Sequence, residues 1–86
     1  MRIVKAIQTC WACPSQWDAW TDTGQYLYLR YRGGGGYAKT YEDPDNWITN
    51  GERGTVVAEF AYGHPLDGFI TLEDFCRLAG IELELE

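Results

Sequence analysis

Residues 16–32 have the alternating pattern of a β-hairpin: Gln16-Trp17-Asp18-Ala19-Trp20-Thr21-Asp22-Thr23-Gly24-Gln25-Tyr26-Leu27-Tyr28-Leu29-Arg30-Tyr31-Arg32. Asp22-Thr23-Gly24 is typical of a three-residue hairpin loop in which the glycine is left-handed. Such a loop places Thr21 opposite Gln25 and Trp17 opposite Leu29. Because side chains alternate between the two faces of a strand, this register also decides which side chains share a face.

The four glycines at 33–36 predict a second hairpin turn. A symmetric closure of that turn pairs Arg32 with Tyr37 and Leu29 with Thr40. Both turns then give the same separation of side chains, which a slip of one residue would destroy. One predicted face carries Trp17, Ala19, Leu27, Leu29, Tyr31 and Ala38. The other carries Gln16, Asp18, Trp20, Tyr26, Tyr28, Arg30, Arg32, Tyr37, Lys39 and Tyr41, with Asp18 as its only carboxylate.

Further strands are predicted at residues 2–9, 55–62 and 81–85, and the one helix at residues 71–79. Thr71 is a good N-cap, and Gly80 suits the position after the last helical residue. Leu72, Phe75, Cys76 and Ala79 form one apolar stripe at helical spacing, which we expect to pack on the sheet face of Trp17. The predicted fold is α+β: a twisted antiparallel β-meander with one short C-terminal helix packed on one face.

The length and composition of the chain limit the number of domains and the cellular environment that we expect. A chain of 86 residues makes one domain, residues 1–86, and its four Trp, six Tyr and three Phe can fill a thin core. The net charge of −6 disfavours general binding to nucleic acid or to anionic membranes. The N-terminus has no signal-peptide pattern and no apolar run is long enough to span a bilayer, so we expect a cytoplasmic protein without membrane contact.

The cysteines raise the question of a metal. Cys10 and Cys13 form a C-x-x-C pair, which with His64 and Cys76 could supply a Cys₃His zinc shell. A zinc ribbon would carry a second closely spaced pair, and Cys76 falls on the apolar stripe of the predicted helix, where a plain core thiol is expected. We therefore expect no metal and no cofactor. A zinc-stabilised domain and a disulfide between Cys10 and Cys13 remain alternatives.

No group of residues meets the requirements of a catalytic site. His64 and Asp67 lie in a turn pattern, and no serine occupies a nucleophile elbow. Residues 33–40 superficially resemble a phosphate-binding loop, but Ala38 stands where glycine is required before Lys39. We expect a protein that is not an enzyme.

The second sheet face is the predicted binding site, because Tyr and Arg are enriched where protein interfaces concentrate their binding energy. The candidate partner-binding residues are Trp20, Tyr26, Tyr28, Arg30, Arg32, Tyr37, Lys39, Tyr41 and Trp47. We expect a protein partner. The alternatives are stacking of single-stranded nucleic acid, a second copy of this chain, and a structural role in which residues 42–54 cover the face with Trp47 as the plug.

Two stretches resemble small uncharacterised proteins of actinobacteria and their phages. They are Cys13-Pro14-Ser15-Gln16-Trp17-Asp18-Ala19-Trp20 and Gly24-Gln25-Tyr26-Leu27-Tyr28-Leu29-Arg30-Tyr31-Arg32. The later run Leu72-Glu73-Asp74-Phe75-Cys76-Arg77-Leu78-Ala79-Gly80 is similar to the way those proteins end. The resemblance implies a phage-type accessory or inhibitory protein, and it implies no activity, cofactor or site residue.

Overall fold

The structure, a computed structural model, describes residues 1–11, 14–40, 55–63 and 68–85. The elements in chain order are β1 (Arg2–Cys10), β2 (Ser15–Thr21), β3 (Tyr26–Arg32), β4 (Gly35–Thr40), β5 (Thr55–Ala61), α1 (Leu72–Ala79) and β6 (Glu82–Leu83). The predictions made for Cys13, Tyr41, Trp47, His64 and Asp67 lie outside the described residues.

The strands form one sheet in the order β5-β4-β3-β2-β1-β6. The first five are antiparallel neighbours, as the predicted meander requires. The expectation of a purely antiparallel sheet is wrong, because β6 pairs with β1 in parallel and the sheet is mixed. The chain reaches β6 from the opposite sheet edge through α1, so a crossover rather than a hairpin sets the direction of β6.

The first hairpin has the predicted register. Trp17 lies opposite Leu29, and Gln16 lies opposite Arg30. Gly24 is left-handed with φ 86°, and the backbone N–H of Thr21 donates to the carbonyl of Gln25 at 2.9 Å. The loop chemistry of this segment was therefore sufficient to fix the pairing of β2 with β3.

The second hairpin differs from its prediction by two residues. Gly33 and Gly34 both have positive φ, 64° and 78°, and together they form the tight two-residue turn that suits the twist of paired strands. Strand β4 therefore begins at Gly35, which lies opposite Arg32 in place of the predicted Tyr37. An even shift leaves every side chain on its predicted face, because the strand period is two.

We call the sheet face covered by α1 the core face. All six side chains predicted for it are buried, and Ile3, Ile70, Phe75, Cys76 and Ile81 join them in one apolar cluster. The ring centroids of Trp17 and Phe75 lie 5.7 Å apart in an edge-to-face arrangement. The predicted packing of the helix stripe on Trp17 is confirmed.

Helix α1 has the predicted ends. Thr71 is the N-cap, and its hydroxyl oxygen accepts a hydrogen bond from the N–H of Asp74 at 3.2 Å. Gly80 is left-handed with φ 74° and ends the helix. Within the described residues no helix is long and apolar enough to cross a membrane.

Ser15 ties the start of β2 to two other segments. Its buried hydroxyl lies 2.7 Å from the carbonyl oxygen of Trp11 and 2.8 Å from that of Gly68. It also accepts a hydrogen bond from the N–H of Ile70 at 3.3 Å. The single hydroxyl proton is shared between the two carbonyls, so Ser15 satisfies polar backbone groups that packing has removed from water.

Candidate binding surface

We call the sheet face opposite α1 the outer face. The strand register places on it side chains from all five antiparallel strands: Arg2, Lys5, Ile7, Cys10, Gln16, Asp18, Trp20, Tyr26, Tyr28, Arg30, Arg32, Gly35, Tyr37, Lys39, Val56, Glu59 and Ala61. Residues directly opposite each other form rows across the sheet, and neighbours in a row interact most closely.

One row joins a lysine to two aromatic rings. The ammonium of Lys5 lies 5.1 Å from the ring centroid of Trp20, and Trp20 meets Tyr26 edge-to-face at 5.7 Å. The hydroxyl of Tyr26 donates to Oδ1 of Asp18 at 2.6 Å. Tyr26 is only 6% exposed, so this predicted contact residue supports its neighbours from within the face.

A second aromatic group lies on the neighbouring strands. The rings of Tyr28 and Tyr37 meet edge-to-face with centroids 6.3 Å apart, and the ammonium of Lys39 lies 4.9 Å from the centroid of Tyr37. Edge-to-face ring pairs and cation–π contacts each favour one arrangement of the side chains. The half-buried Tyr37 and Lys39 are therefore held in defined positions.

Two arginines line a groove next to these rings. Arg30 and Arg32 occupy alternate positions of β3, so their side chains leave the same face. The groove has a volume of about 520 Å³, and its lining includes Gly35, Tyr37 and Glu59. Among the described residues, no carboxylate lies within ion-pair distance of either arginine.

The charge of the outer face is opposite in sign to that of the chain. Its described residues carry five cationic side chains, Arg2, Lys5, Arg30, Arg32 and Lys39, and the strands β2 and β5 contribute two carboxylates, Asp18 and Glu59. At the β6 edge, Glu82 and Glu84 lie beside Arg2, so the face keeps a small positive charge. The whole chain has a net charge of −6. The prediction that Asp18 is the only carboxylate here is wrong, because the pairing of β5 with β4 adds Glu59. Lys5 was also missed, since neither β1 nor β5 could be placed beside the hairpins from sequence.

The remaining predicted contact residues are available to different extents. Trp20, Tyr28, Arg30, Tyr37 and Lys39 are half-buried on the outer face, and Arg32 is exposed. The register of three strands brings all of them together, as the hairpin pattern predicted.

Two residues of the candidate zinc set, Cys10 and Cys76, are described, and they lie in different parts of the fold. Cys10 lies opposite Gln16 at the end of β1, whereas Cys76 is on the buried side of α1 in the core cluster. Burial, assisted by the carboxylate of Glu73, raises the pKa of the Cys76 thiol to about 11. The place of Cys76 in the apolar cluster is the one expected of a core thiol. The described residues contain no cluster of three or more potential metal ligands.

A second concave surface lies on the core face, beside the start of α1. Trp11 is 70% exposed and Phe69 is 62% exposed, and both line a cleft of about 340 Å³. Buried Trp17 forms part of its lining, together with Leu72 and Glu73 at the start of α1. Sequence reasoning missed Phe69, because it follows a turn and belongs to no periodic pattern.

These features define a small α+β protein whose curled mixed sheet carries a helix on one face and an aromatic, cationic surface on the other. No protein-family model, no curated protein and no solved structure matches the chain.

Proposed function

We propose that this chain is a non-enzymatic protein-interaction module whose outer face docks a protein partner, in the role of a phage-type accessory or inhibitory protein. The observation that carries the proposal is the concentration of Tyr, Trp, Arg and Lys on the outer face of an acidic chain. Aromatic and arginine side chains dominate the binding energy of protein interfaces. The apolar core residues, by contrast, are already covered by α1.

The order within the outer face supports a docking role. Tyr26 holds Asp18 by a hydrogen bond and Trp20 by an edge-to-face contact, and Lys39 lies over Tyr37. A side chain that is already held in one rotamer loses less conformational entropy when a partner binds. The surface therefore offers amphipathic rings at a low cost of ordering.

The same contacts favour a protein partner over stacked nucleic-acid bases. A base stacks on an aromatic side chain only where a face of that ring is uncovered. Here the rings of Trp20 and Tyr37 each have a lysine ammonium over one face, and each meets a neighbouring tyrosine at an interplanar angle of 62°. The chain's charge of −6 also opposes a long polyanion.

The experiment compares affinity capture from a lysate of the source organism by three forms of the protein. The wild type is compared with a Tyr28→Ala/Arg30→Ala variant of the outer face and with a Trp11→Ala/Phe69→Ala variant of the other concave surface. We expect the outer-face variant alone to lose the captured protein while circular dichroism shows it folded.

Three results would contradict the proposal. Unfolding of the Tyr28→Ala/Arg30→Ala variant would give these residues a structural role. Unchanged capture by that folded variant would show that the outer face is not the docking surface. Binding of a single-stranded oligonucleotide that weakens steeply with salt would favour nucleic acid as the partner.

A further inference from the structure

We propose that the groove above Gly35 is a carboxylate-binding site, in which Arg32 and Arg30 hold a glutamate or aspartate side chain of an acidic partner segment. The inference rests on the proposed function and names the chemistry of the partner. It follows from the shape of the groove, from the lack of any ion-paired carboxylate beside the two arginines among the residues that the structure describes, and from the position of Glu59.

The shape comes from one glycine in a row of side chains. Arg32, Gly35 and Ala61 lie opposite one another on β3, β4 and β5. A Cβ atom at Gly35 would have as its nearest neighbours the backbone oxygens of Phe60 at 3.7 Å and Arg32 at 3.9 Å, so no side chain fills the space above the glycine. The next row places Arg30 on one side of Tyr37 and Glu59 on the other.

The two arginines differ from the other arginines that the structure describes. Arg2 is paired with Glu82 at 3.1 Å and with Glu84 at 3.5 Å, and Arg77 is paired with Asp74 at 3.3 Å. Neither Arg30 nor Arg32 has such a partner among the described residues. A guanidinium presents a planar fork of donors that matches a carboxylate, so two adjacent arginines lining a groove suit that ligand.

Glu59 makes the two sides of the groove opposite in charge. It lies across Tyr37 from Arg30, and it is the one carboxylate among the described residues that line the groove. An incoming carboxylate is attracted to the β3 side by the arginines and repelled from the β5 side by Glu59. Removal of the Glu59 charge should therefore strengthen binding, whereas removal of an arginine charge should weaken it.

The size of the site favours an acidic protein segment over nucleic acid. A polynucleotide would lay a track of phosphates along the surface and would meet Glu59, Asp18 and the net charge of −6. A protein segment needs only one carboxylate at the groove, and its apolar side chains can contact the neighbouring half-buried rings of Tyr28 and Tyr37.

The test is an NMR titration of the whole, isotopically labelled protein with a short capped peptide that carries two adjacent glutamates. The control probe is the same peptide with glutamine in their place. We expect the glutamate peptide to shift the backbone amides of Arg32, Gly35 and Tyr37, and its dissociation constant to be several-fold lower than that of the glutamine peptide.

Four variants test the arrangement of charges and the shape of the groove. Arg32→Gln should weaken binding about fivefold, and Glu59→Gln should strengthen it about twofold. Arg77→Gln is the control for Arg32→Gln, because it removes the same positive charge at a position away from the groove. Binding by Arg77→Gln should be unchanged. Gly35→Val should block the groove and reduce binding without loss of the fold, because a Cβ there has room.

Three outcomes overturn the inference. They are no binding of the glutamate peptide at millimolar concentration, equal binding of the glutamine peptide, and equal losses in Arg32→Gln and Arg77→Gln. If one of these occurs while Tyr28→Ala/Arg30→Ala still loses its captured protein, the carboxylate site fails and the docking function stands. A fourth outcome, displacement of the peptide by a single-stranded oligothymidine that binds more tightly, overturns both the carboxylate site and the protein-docking function.

Discussion

The aromatic ring of Phe60 lies directly against the backbone of Gly36, its partner across the β4–β5 pair. A Cβ atom at Gly36 would stand 2.6 Å from Cε1 of that ring. Phe60 also stacks on Tyr31 at 6.1 Å and meets Phe75 at 5.0 Å. Two consecutive glycines in β4 thus have opposite roles: Gly36 makes room for a core ring, and Gly35 leaves the groove open on the outer face.

The Gly36→Ala variant should be less stable than the wild type by about 1–3 kcal/mol, because the new methyl group displaces a ring packed against two others. Gly35→Ala is the matched control on the next residue, where the nearest atoms to a Cβ lie at 3.7 and 3.9 Å. We expect the control to be neutral or slightly stabilising, since alanine is favoured over glycine in a strand. Urea unfolding of both variants measures the difference, and equal free energies of unfolding would refute the packing argument.

Ser15→Ala should lower the free energy of unfolding by about 1–3 kcal/mol, because it leaves buried backbone groups of Gly68 and Ile70 without their partner. Thr23→Ala is a suitable control, since its hydroxyl bonds only to Thr21 among the described side chains and the residue is exposed. The control should change stability by less than about 0.5 kcal/mol. A loss no larger for Ser15→Ala than for Thr23→Ala would mean that water replaces the serine hydroxyl.

The features that could be predicted from sequence are those set by local chemistry. Gly24 fixed one hairpin register, and the cap residues Thr71 and Gly80 marked the ends of α1. Strand alternation then separated the core face from the outer face correctly, even though the second turn was placed two residues out. These features depend on neighbours in sequence, so one chain contains enough information to predict them.

The features that could not be predicted depend on contacts between distant segments. The sequence 33–36 allows turns of two or four residues, and only packing selects Gly33-Gly34. The parallel pairing of β6 with β1 requires knowing which sheet edge the chain reaches after α1. Glu59 could not be assigned to the candidate site from sequence, because the face on which it lies is known only once β5 is paired with β4.

Cys76 should make stability fall in alkaline solution. Burial raises its pKa from 9.0 to about 11, so the unfolded chain loses the thiol proton at a lower pH than the folded protein does. The folded state binds more protons in this window, and its stability therefore decreases between about pH 9 and 11, by at most 2–3 kcal/mol. This contribution is fully present below pH 9.

The measurement is the free energy of unfolding against pH for the wild type and for Cys76→Ala, since other groups also titrate in this range. The difference between the two curves isolates the thiol. We expect the wild type to lose more stability than Cys76→Ala as the pH rises from 8 to 11. Parallel curves would mean that the thiol is as accessible to water in the folded protein as in the unfolded chain.

Tyr26→Phe should separate the supporting role of Tyr26 from the contact role of its neighbours. The substitution removes the hydroxyl that donates to Asp18 at 2.6 Å but keeps the buried ring against Trp20. A hydrogen bond to a charged group contributes about 1.5–3 kcal/mol to the free energy of unfolding. The loss here should be below that range, because Asp18 is half-buried and water can replace the lost donor. Capture of the partner should persist, whereas Tyr28→Ala at the neighbouring half-buried position should reduce it. A Tyr26→Phe variant that keeps full stability but loses the partner would mean that this hydroxyl meets the partner directly, and the outer face would then have to open for Tyr26 to be reached.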